Sequence, residues 1–211
     1  MSNGTFDFSL FIKESKDTLL NPKSHFSTMK TAGGITEPLI KAVIYGTVTG
    51  VIYLLWGILK IGSIGGGLIG GAVGFMSFVW AIFGAVIGLF IGAVVLLIIS
   101  SICKGNTDFE ANVRVTAALM VVMPIYALFN VLAGFGVYFG LVINLVVFIY
   151  SLWLLYNGLV EALKCKQEAA RIVCYVIIAI IVLFLLLGLS TKSRLERNLN
   201  KEAKELLKDL K

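Results

Sequence analysis

Charged residues are scarce in this sequence. Asp, Glu, Lys and Arg make up 14% of its 211 residues, whereas an ordinary soluble domain carries about 25%. No charged residue occurs from Ile61 to Cys103, a run of 43 residues. With 58% hydrophobic residues and a mean hydropathy of +0.95, a soluble fold of this length could not cover its apolar surface. The composition therefore predicts an integral membrane protein that crosses the bilayer several times.

Residues that build catalytic and metal sites are also scarce. The chain has one histidine, His25, and three cysteines, Cys103, Cys165 and Cys174, without a CxxC pair or another metal-ligand spacing. The sequence shows no nucleophile paired with a base and no paired intramembrane acids. We therefore predict no enzymatic activity, no metal site and no cofactor, and we interpret the cysteines as small apolar residues in or near helices.

Glycine is abundant, and one glycine-rich stretch raises the question of a nucleotide site. Residues 63–74, SIGGGLIGGAVG, contain Gly65, Gly67 and Gly70 in a formal GxGxxG arrangement. The dinucleotide fingerprint requires a preceding strand and an acidic residue about 20 positions later, and neither is present. We predict no nucleotide binding. Because each glycine weakens a helix by about 1 kcal/mol relative to alanine, we interpret residues 62–75 as an irregular or re-entrant segment.

Polar and apolar segments alternate as in an all-α, polytopic membrane helix bundle with five transmembrane helices and amphipathic helices at both ends. The polar segment 1–38 contains an amphipathic helix, and Asn21-Pro22 begins a second short helix that stops at Gly33-Gly34. This helix pair either lies on the membrane surface or packs on the cytosolic face of the bundle. The transmembrane domain, 39–190, contains spans at about 39–60, 76–102, 113–133, 137–163 and 170–190, and a basic amphipathic helix follows at 191–211.

Lysine and arginine counts beside the spans indicate the orientation. With five spans, ten basic residues lie on the N-terminal side and eight on the other, and seven of those eight belong to the tail. We predict a cytosolic N-terminus. A six-span alternative, with 62–79 as an extra crossing, would bring the tail inside and would need a reversal near Trp80-Ala81.

Three features predict how the spans pack, bend and begin. Gly84, Gly88 and Gly92 recur every four residues in the second span and predict a small-residue ridge for close helix packing. Pro124 lies in the middle of the third span and predicts a kink. Glu110 and Arg114, four residues apart, can form an ion pair where that span begins.

Polar residues inside apolar spans are the best functional candidates. They are Asn130, Asn144, Ser151, Asn157 and Glu161. Asn144 and Ser151 are seven residues apart and share one helical face, and Asn157 and Glu161 share another. These residues could line a polar track for an ion, a proton or a lipid head group. The alternative, which we favour, is interhelical hydrogen bonding worth about 0.6–2 kcal/mol each.

The order of these features resembles the prokaryotic branch of the Yip (Ypt-interacting-protein) domain family. The resemblance rests on NPKSHFSTMKTAGGITEPLIKAVIYG before and into the first span, on KGNTDFEANVRV before the third, on the span that contains Pro124, and on WLLYNGLVEALKCKQEAARIVCYV. It covers roughly residues 15–190. Eukaryotic members are associated with Golgi and endoplasmic-reticulum traffic through Rab-type GTPases, but their Asp-Leu-Tyr-Gly-Pro motif is absent here and their long N-terminal domain is reduced to residues 1–38.

The resemblance implies residence in a membrane and no established reaction. We expect a non-enzymatic membrane-organising or adaptor protein in a prokaryotic cytoplasmic membrane. Its expected partners are the lipid bilayer and either further copies of itself or other membrane subunits, with no nucleic acid. The alternative function is a small transporter, channel or lipid-translocating protein that uses the intramembrane polar residues.

The tail provides a test of the five-span topology. An odd number of spans places residues 191–211 on the side opposite the N-terminus. In a variant without the native cysteines, Ser193→Cys should therefore be labelled by a membrane-impermeant maleimide in intact cells. Labelling only after permeabilisation would place the tail inside and contradict five spans.

Overall fold

The computed structural model describes residues 6–59, 70–132 and 137–184, and these residues form helices without any strand. The helices are α1 (Phe8–Leu20), α2 (Pro22–Thr28), α3 (Thr36–Leu59), α4 (Gly70–Ile102), α5 (Phe109–Leu119), α6 (Val122–Asn130), α7 (Val137–Asn157) and α8 (Gln167–Phe184), and a π-helical turn, Gly158–Ala162, follows α7. The chain divides into two compact units, residues 1–170 and 171–211. The predicted C-terminal helix, 191–211, lies outside the described residues.

Five helical segments are long and apolar enough to cross a membrane, which confirms the predicted all-α, five-span class. Among the described residues they are Thr36–Leu59, Phe75–Ile102, Phe109–Asn130, Phe139–Ala162 and Gln167–Phe184. The six-span alternative is wrong, because α4 continues without a break through Trp80-Ala81.

The predicted irregular segment, 62–75, is too long. Residues 70–75 already belong to α4, while 60–69 lie outside the described residues. Glycine lowers helix propensity, but backbone groups in hydrocarbon must find partners within the chain. This requirement favours a helix even through consecutive glycines.

The N-terminal helices pack on the bundle, which is the second of the two arrangements considered from the sequence. Asp7 caps α1 by accepting a hydrogen bond from the Leu10 amide at 3.0 Å. Phe11 of α1 and Phe26 of α2 are buried, and the Tyr150 hydroxyl of α7 donates to the backbone carbonyl of Leu19. These contacts place both helices at the end of the bundle where α3 and α5 begin and α7 ends. We call this the N-terminal end.

The second short helix ends earlier than predicted, at Thr28 rather than at Gly33-Gly34. Met29 is already extended, with φ −63° and ψ 134°. Gly33 and Gly34 instead have φ values of +131° and +91°, which suit glycine and not a continuing helix. The intervening residues form a loop that returns the chain to the start of α3.

The third span is interrupted at Met120-Val121, between α5 and α6. Pro124 has no amide hydrogen for the carbonyl of Met120, its partner in an uninterrupted helix. That carbonyl accepts from the Met123 amide at 2.9 Å instead. The break therefore lies one turn before the proline, where its ring would crowd a regular helix.

The first unit has its hydrophobic core toward the N-terminal end. Its buried members come from α1, α3, α4, α5, α7 and the α5–α6 link: Phe11, Ala42, Tyr45, Ala85, Leu89, Ala93, Val113, Ala117, Met120, Val121 and Leu154. The Tyr45 ring lies 5.2 Å from that of Phe11, and its hydroxyl is 2.7 Å from the Ser15 hydroxyl. The core thus joins the N-terminal helix to the spans.

The closest helix packing involves glycines that the sequence reasoning did not single out. A Cβ at Gly46 of α3 would lie 2.7 Å from the Ala85 Cβ, and one at Gly50 would lie 2.8 Å from Phe78 Cδ2 and 2.9 Å from the Phe78 carbonyl oxygen. These two residues form a GxxxG pair, the pattern that lets membrane helices approach closely. They bring α3 against α4.

The three glycines of the ridge predicted on α4 differ in whether a neighbouring helix contacts them. A Cβ at Gly92 would lie 2.8 Å from Thr116 Cγ2, whereas a Cβ at Gly84 or Gly88 would meet nothing within 4 Å. Gly92 is therefore a close contact inside the chain. For Gly84 and Gly88, the packing role stays a prediction about contacts between chains.

Gly50→Ala should destabilise the protein by about 1–3 kcal/mol, because the added methyl group overpacks the contact with Phe78. Thermal unfolding in detergent measures this effect. Gly88→Ala is the matched control, since its methyl group enters open space and alanine favours a helix. Equal melting temperatures for the two variants would show that α3 and α4 are not in close contact at Gly50.

Candidate functional site

Charged residues from three helices meet at the N-terminal end and form an ion-pair network. Lys41 Nζ of α3 lies 2.6 Å from Glu14 Oε2 of α1 and 2.7 Å from Glu37 Oε1. Glu37 Oε2 is 3.1 Å from Arg114 Nη1 of α5, and Arg114 Nε is 3.3 Å from Glu110 Oε1. The Glu110–Arg114 pair predicted from the sequence is thus confirmed. It is one end of a chain of contacts that links α1, α3 and α5.

Arg114 is the most buried member of the network, with a side chain only 7% exposed. Its Nη2 donates to the carbonyl of Gly34 at 2.9 Å, and the Gly34 amide donates to Glu110 Oε1 at 2.5 Å. The α2–α3 loop is therefore held on α5 by a pair of hydrogen bonds. A Cβ at Gly33 would approach Arg114 Nη2 to 3.0 Å, so the loop lies directly over the guanidinium group.

A buried guanidinium group is tolerated only when it is paired and hydrogen-bonded. Arg114 meets this requirement with two carboxylates and a backbone carbonyl. Glu37 bridges Arg114 and Lys41, so removal of any one partner leaves charges uncompensated. The network therefore holds α1 and the α2–α3 loop against α3 and α5.

Two loops that share this end of the bundle are joined by backbone hydrogen bonds. The Asn106 amide, after α4, donates to the Leu163 carbonyl at 2.6 Å, and the Lys166 amide donates to the Cys103 carbonyl at 3.1 Å. Ser100 Oγ donates to the Asn106 carbonyl at 2.7 Å. The loop before α5 and the loop before α8 therefore form one ordered layer.

All three cysteines are buried thiols, as the interpretation of small apolar residues implies. Cys165 lies in the second loop, 3.6 Å from Ser100 Oγ, and its thiol also contacts that of Cys103. Burial raises the pKa of the Cys165 thiol, so it stays neutral at physiological pH.

A cavity of about 390 Å³ lies between α3, α4, α6 and α7. Its wall is mostly apolar and aromatic and includes Tyr53, Trp80, Ala81, Gly84, Val122, Met123, Tyr126, Val147 and Phe148. Its polar members, apart from the two tyrosines, are Thr49, Asn144 and Ser151. The structure thus brings together Asn144 and Ser151, the pair predicted to share one helical face.

The remaining polar candidates are in separate places. Asn130 hydrogen-bonds to Tyr53 of α3, which is the interhelical bonding favoured from the sequence. The side-chain amide of Asn157 donates to the Trp153 carbonyl at 2.7 Å, within its own helix. Glu161 lines a second cavity of about 480 Å³, beside α2 and Trp153.

Sequence reasoning missed Thr49, which has the most unusual polar environment in the cavity wall. Thr49 is 4% exposed, and its Oγ1 has no hydrogen-bond partner among the described residues. Threonine inside a helix commonly bonds to its own backbone, so the sequence alone carried no signal for an unpaired hydroxyl. The available signal in the sequence was that Thr49 lies between Gly46 and Gly50, on the same side of α3 as these two glycines.

Within the described ranges, no three His, Cys, Asp or Glu side chains are close enough to hold a metal ion. His25 is half-buried on α2, its ring 5.4 Å from that of Phe26. Burial lowers its pKa, so the imidazole is neutral at pH 7. These surroundings support a packing role for His25 on α2.

Five apolar helical spans, an ordered N-terminal end and buried polar contacts define a polytopic all-helical membrane protein. The Yip1 domain model matches residues 16–189, and the chain therefore belongs to the Yip1 domain family. The matched region begins within α1, so it includes the end of α1 and all of α2 as well as the spans. Neither a curated protein nor a solved structure gives a significant match.

Arg114→Met should lower the free energy of unfolding by about 1.5–3 kcal/mol, the range for hydrogen bonds to charged groups, because Glu110 loses its partner and Glu37 keeps only Lys41. Arg114→Lys should recover little of this loss, since lysine cannot contact two carboxylates and a carbonyl in one plane. Unfolding in mixed micelles measures both variants. Lys16→Met, at an exposed position on α1, is the control, and an equal loss in that variant would refute a special role for Arg114.

Proposed function

We propose that this Yip1-domain protein is a non-enzymatic membrane-organising or adaptor subunit. The observation that carries the proposal is the attachment of α1 and of the α2–α3 loop to the spans through the Arg114-centred network. An adaptor needs a docking surface held in a fixed position relative to the membrane. The network supports such a surface without any group suited to bond-making chemistry in the described part of the chain.

The outer side of α1 supports a role at the membrane boundary. Phe8 and Ile12 are 60% and 51% exposed, and Lys13 and Lys16 are exposed beside them. An exposed apolar pair flanked by lysines suits the boundary between acyl chains and anionic head groups. The same side can take part in contacts with a second membrane protein that lies in that layer.

The competing function, a transporter, channel or lipid translocator, would need a polar path across the whole bundle. About one helical turn from the cavity residues, toward the N-terminal end, α3, α4 and α7 contribute the buried core residues Tyr45, Leu89 and Leu154. Asn130 and Asn157 lie outside the cavity wall. This separation favours the adaptor over the conduit.

Self-association is part of the proposal. Gly84 and Gly88 are exposed on α4, and a Cβ at either position would meet open space. Such a small-residue surface suits close approach of a helix from a second copy. We further propose that the protein resides in a prokaryotic cytoplasmic membrane with its N-terminus in the cytosol, in keeping with the lysines and arginines on that side.

Reconstitution in liposomes tests adaptor against conduit. The purified chain should form dimers or larger assemblies, counted by single-molecule photobleaching at low protein density. The same liposomes should scramble a fluorescent phospholipid and leak ions no faster than protein-free liposomes. Scrambling or leakage that rises with protein content would overturn the proposal in favour of the alternative.

Gly88→Leu should shift the photobleaching distribution toward monomers, because the large side chain holds two helices apart. Gly88→Ala keeps a small surface and should behave like the wild type. An unchanged distribution in Gly88→Leu would remove this ridge from the proposed interface.

A further inference from the structure

We propose that the cavity between α3, α4, α6 and α7 is a binding site for an uncharged lipid with a single long chain and a hydroxyl group. This inference goes beyond the adaptor function and stands independently of it. The volume of the cavity, about 390 Å³, falls within the 300–1,000 Å³ typical of small-molecule pockets.

The unpaired hydroxyl of Thr49 points to a polar group in the ligand. Thr49 is buried in the cavity wall, and its Oγ1 has no hydrogen-bond partner within the part of the chain that the structure describes. A polar group that is buried in a protein is normally satisfied, and the neighbouring wall residues Tyr53, Trp80 and Phe148 offer mainly apolar and aromatic surface. A ligand hydroxyl can both donate to and accept from the Thr49 hydroxyl.

The depth of Thr49 excludes the head group of an ordinary phospholipid. Thr49 lies 13 residues after Thr36 and ten before Leu59, so it is about 20 Å and about 15 Å from the two ends of α3 at 1.5 Å per residue. The hydroxyl is therefore near the middle of the span. The described residues that line the cavity include none with a charge, and a charged head group at that depth would be costly.

The cavity is accessible from the lipid-facing side of the bundle. Trp80 and Tyr126 line it while remaining 62% and 40% exposed. A long apolar chain can therefore enter sideways from the bilayer, and Asn144 provides a further polar contact at the wall. These features select a neutral, hydroxyl-bearing lipid over a phospholipid and over a plain hydrocarbon.

Photolabelling of the full-length protein in nanodiscs tests the site. The probe is a long-chain primary alcohol with a diazirine in its chain and a terminal alkyne, and the comparison probe is the alkane of equal length without the hydroxyl. The alcohol should label cavity peptides from α3, α4 and α7 saturably, and unlabelled alcohol should compete. Added phosphatidylcholine should not compete.

Two substitutions separate the hydroxyl contact from the cavity itself. Thr49→Val keeps the shape and should weaken apparent binding of the alcohol about 2- to 10-fold, the range for one hydrogen bond, while labelling by the alkane is unchanged. Thr47→Val is its control, because the Thr47 hydroxyl already donates to the Val43 carbonyl at 2.8 Å.

Gly84→Leu, whose side chain enters the empty space, should abolish cavity labelling by both probes. Val94→Phe adds bulk on the exposed side of the same helix and should not.

Several outcomes would overturn the assignment. Equal binding of the alcohol by wild type and Thr49→Val would show that the hydroxyl is not recognised. Labelling spread evenly over the lipid-facing residues, or competition by phosphatidylcholine, would show ordinary contact with bilayer lipid. The Thr49→Val comparison leaves the exposed glycines of α4 unchanged, so the adaptor proposal and the lipid site can fail separately.

Discussion

The need to pair the buried charge of Arg114 is the constraint on which the N-terminal end of this structure depends. A guanidinium group at the start of a membrane span must be paired, and its partners come from α5 itself, from α3 and from the α2–α3 loop. Through Glu37 the contacts reach Lys41, and through Lys41 they reach Glu14 of α1. The positions of α1 and of the α2–α3 loop therefore depend on the compensation of one buried charge, together with the apolar contact between Phe11 of α1 and Tyr45 of α3.

Local features were predictable from the sequence because they depend on neighbours in the chain. The five spans follow from apolar length, and the Glu110–Arg114 pair follows from helical spacing. The link from Arg114 to Glu37 crosses 77 positions, so it required knowledge of which helices adjoin. The sequence pattern also drew attention to Gly84, Gly88 and Gly92 and passed over Gly46 and Gly50, since four-residue spacing does not say which glycine surface faces a neighbouring helix.

The cavity illustrates the same distinction. Asn144 and Ser151 could be placed on one face of α7 by their separation alone. That this face meets Thr49, Trp80 and Tyr126 depends on three other helices and on the break before Pro124. The irregular segment was predicted too long, because glycine propensity was given more weight than the requirement for paired backbone groups in hydrocarbon. The first unit thus combines a polar, ordered N-terminal end, a dry core and a cavity beyond it.

Hydrogen–deuterium exchange of the intact protein in nanodiscs tests the central claim most directly, namely that α1 is an integral part of the bundle. The amides from Phe11 to Leu19 should exchange slowly, with protection close to that of the first turns of α3 and α5, because the same network and core hold all three. Fast exchange across α1, with α3 and α5 still protected, would contradict the claim. It would instead describe α1 as a separate helix on the membrane surface.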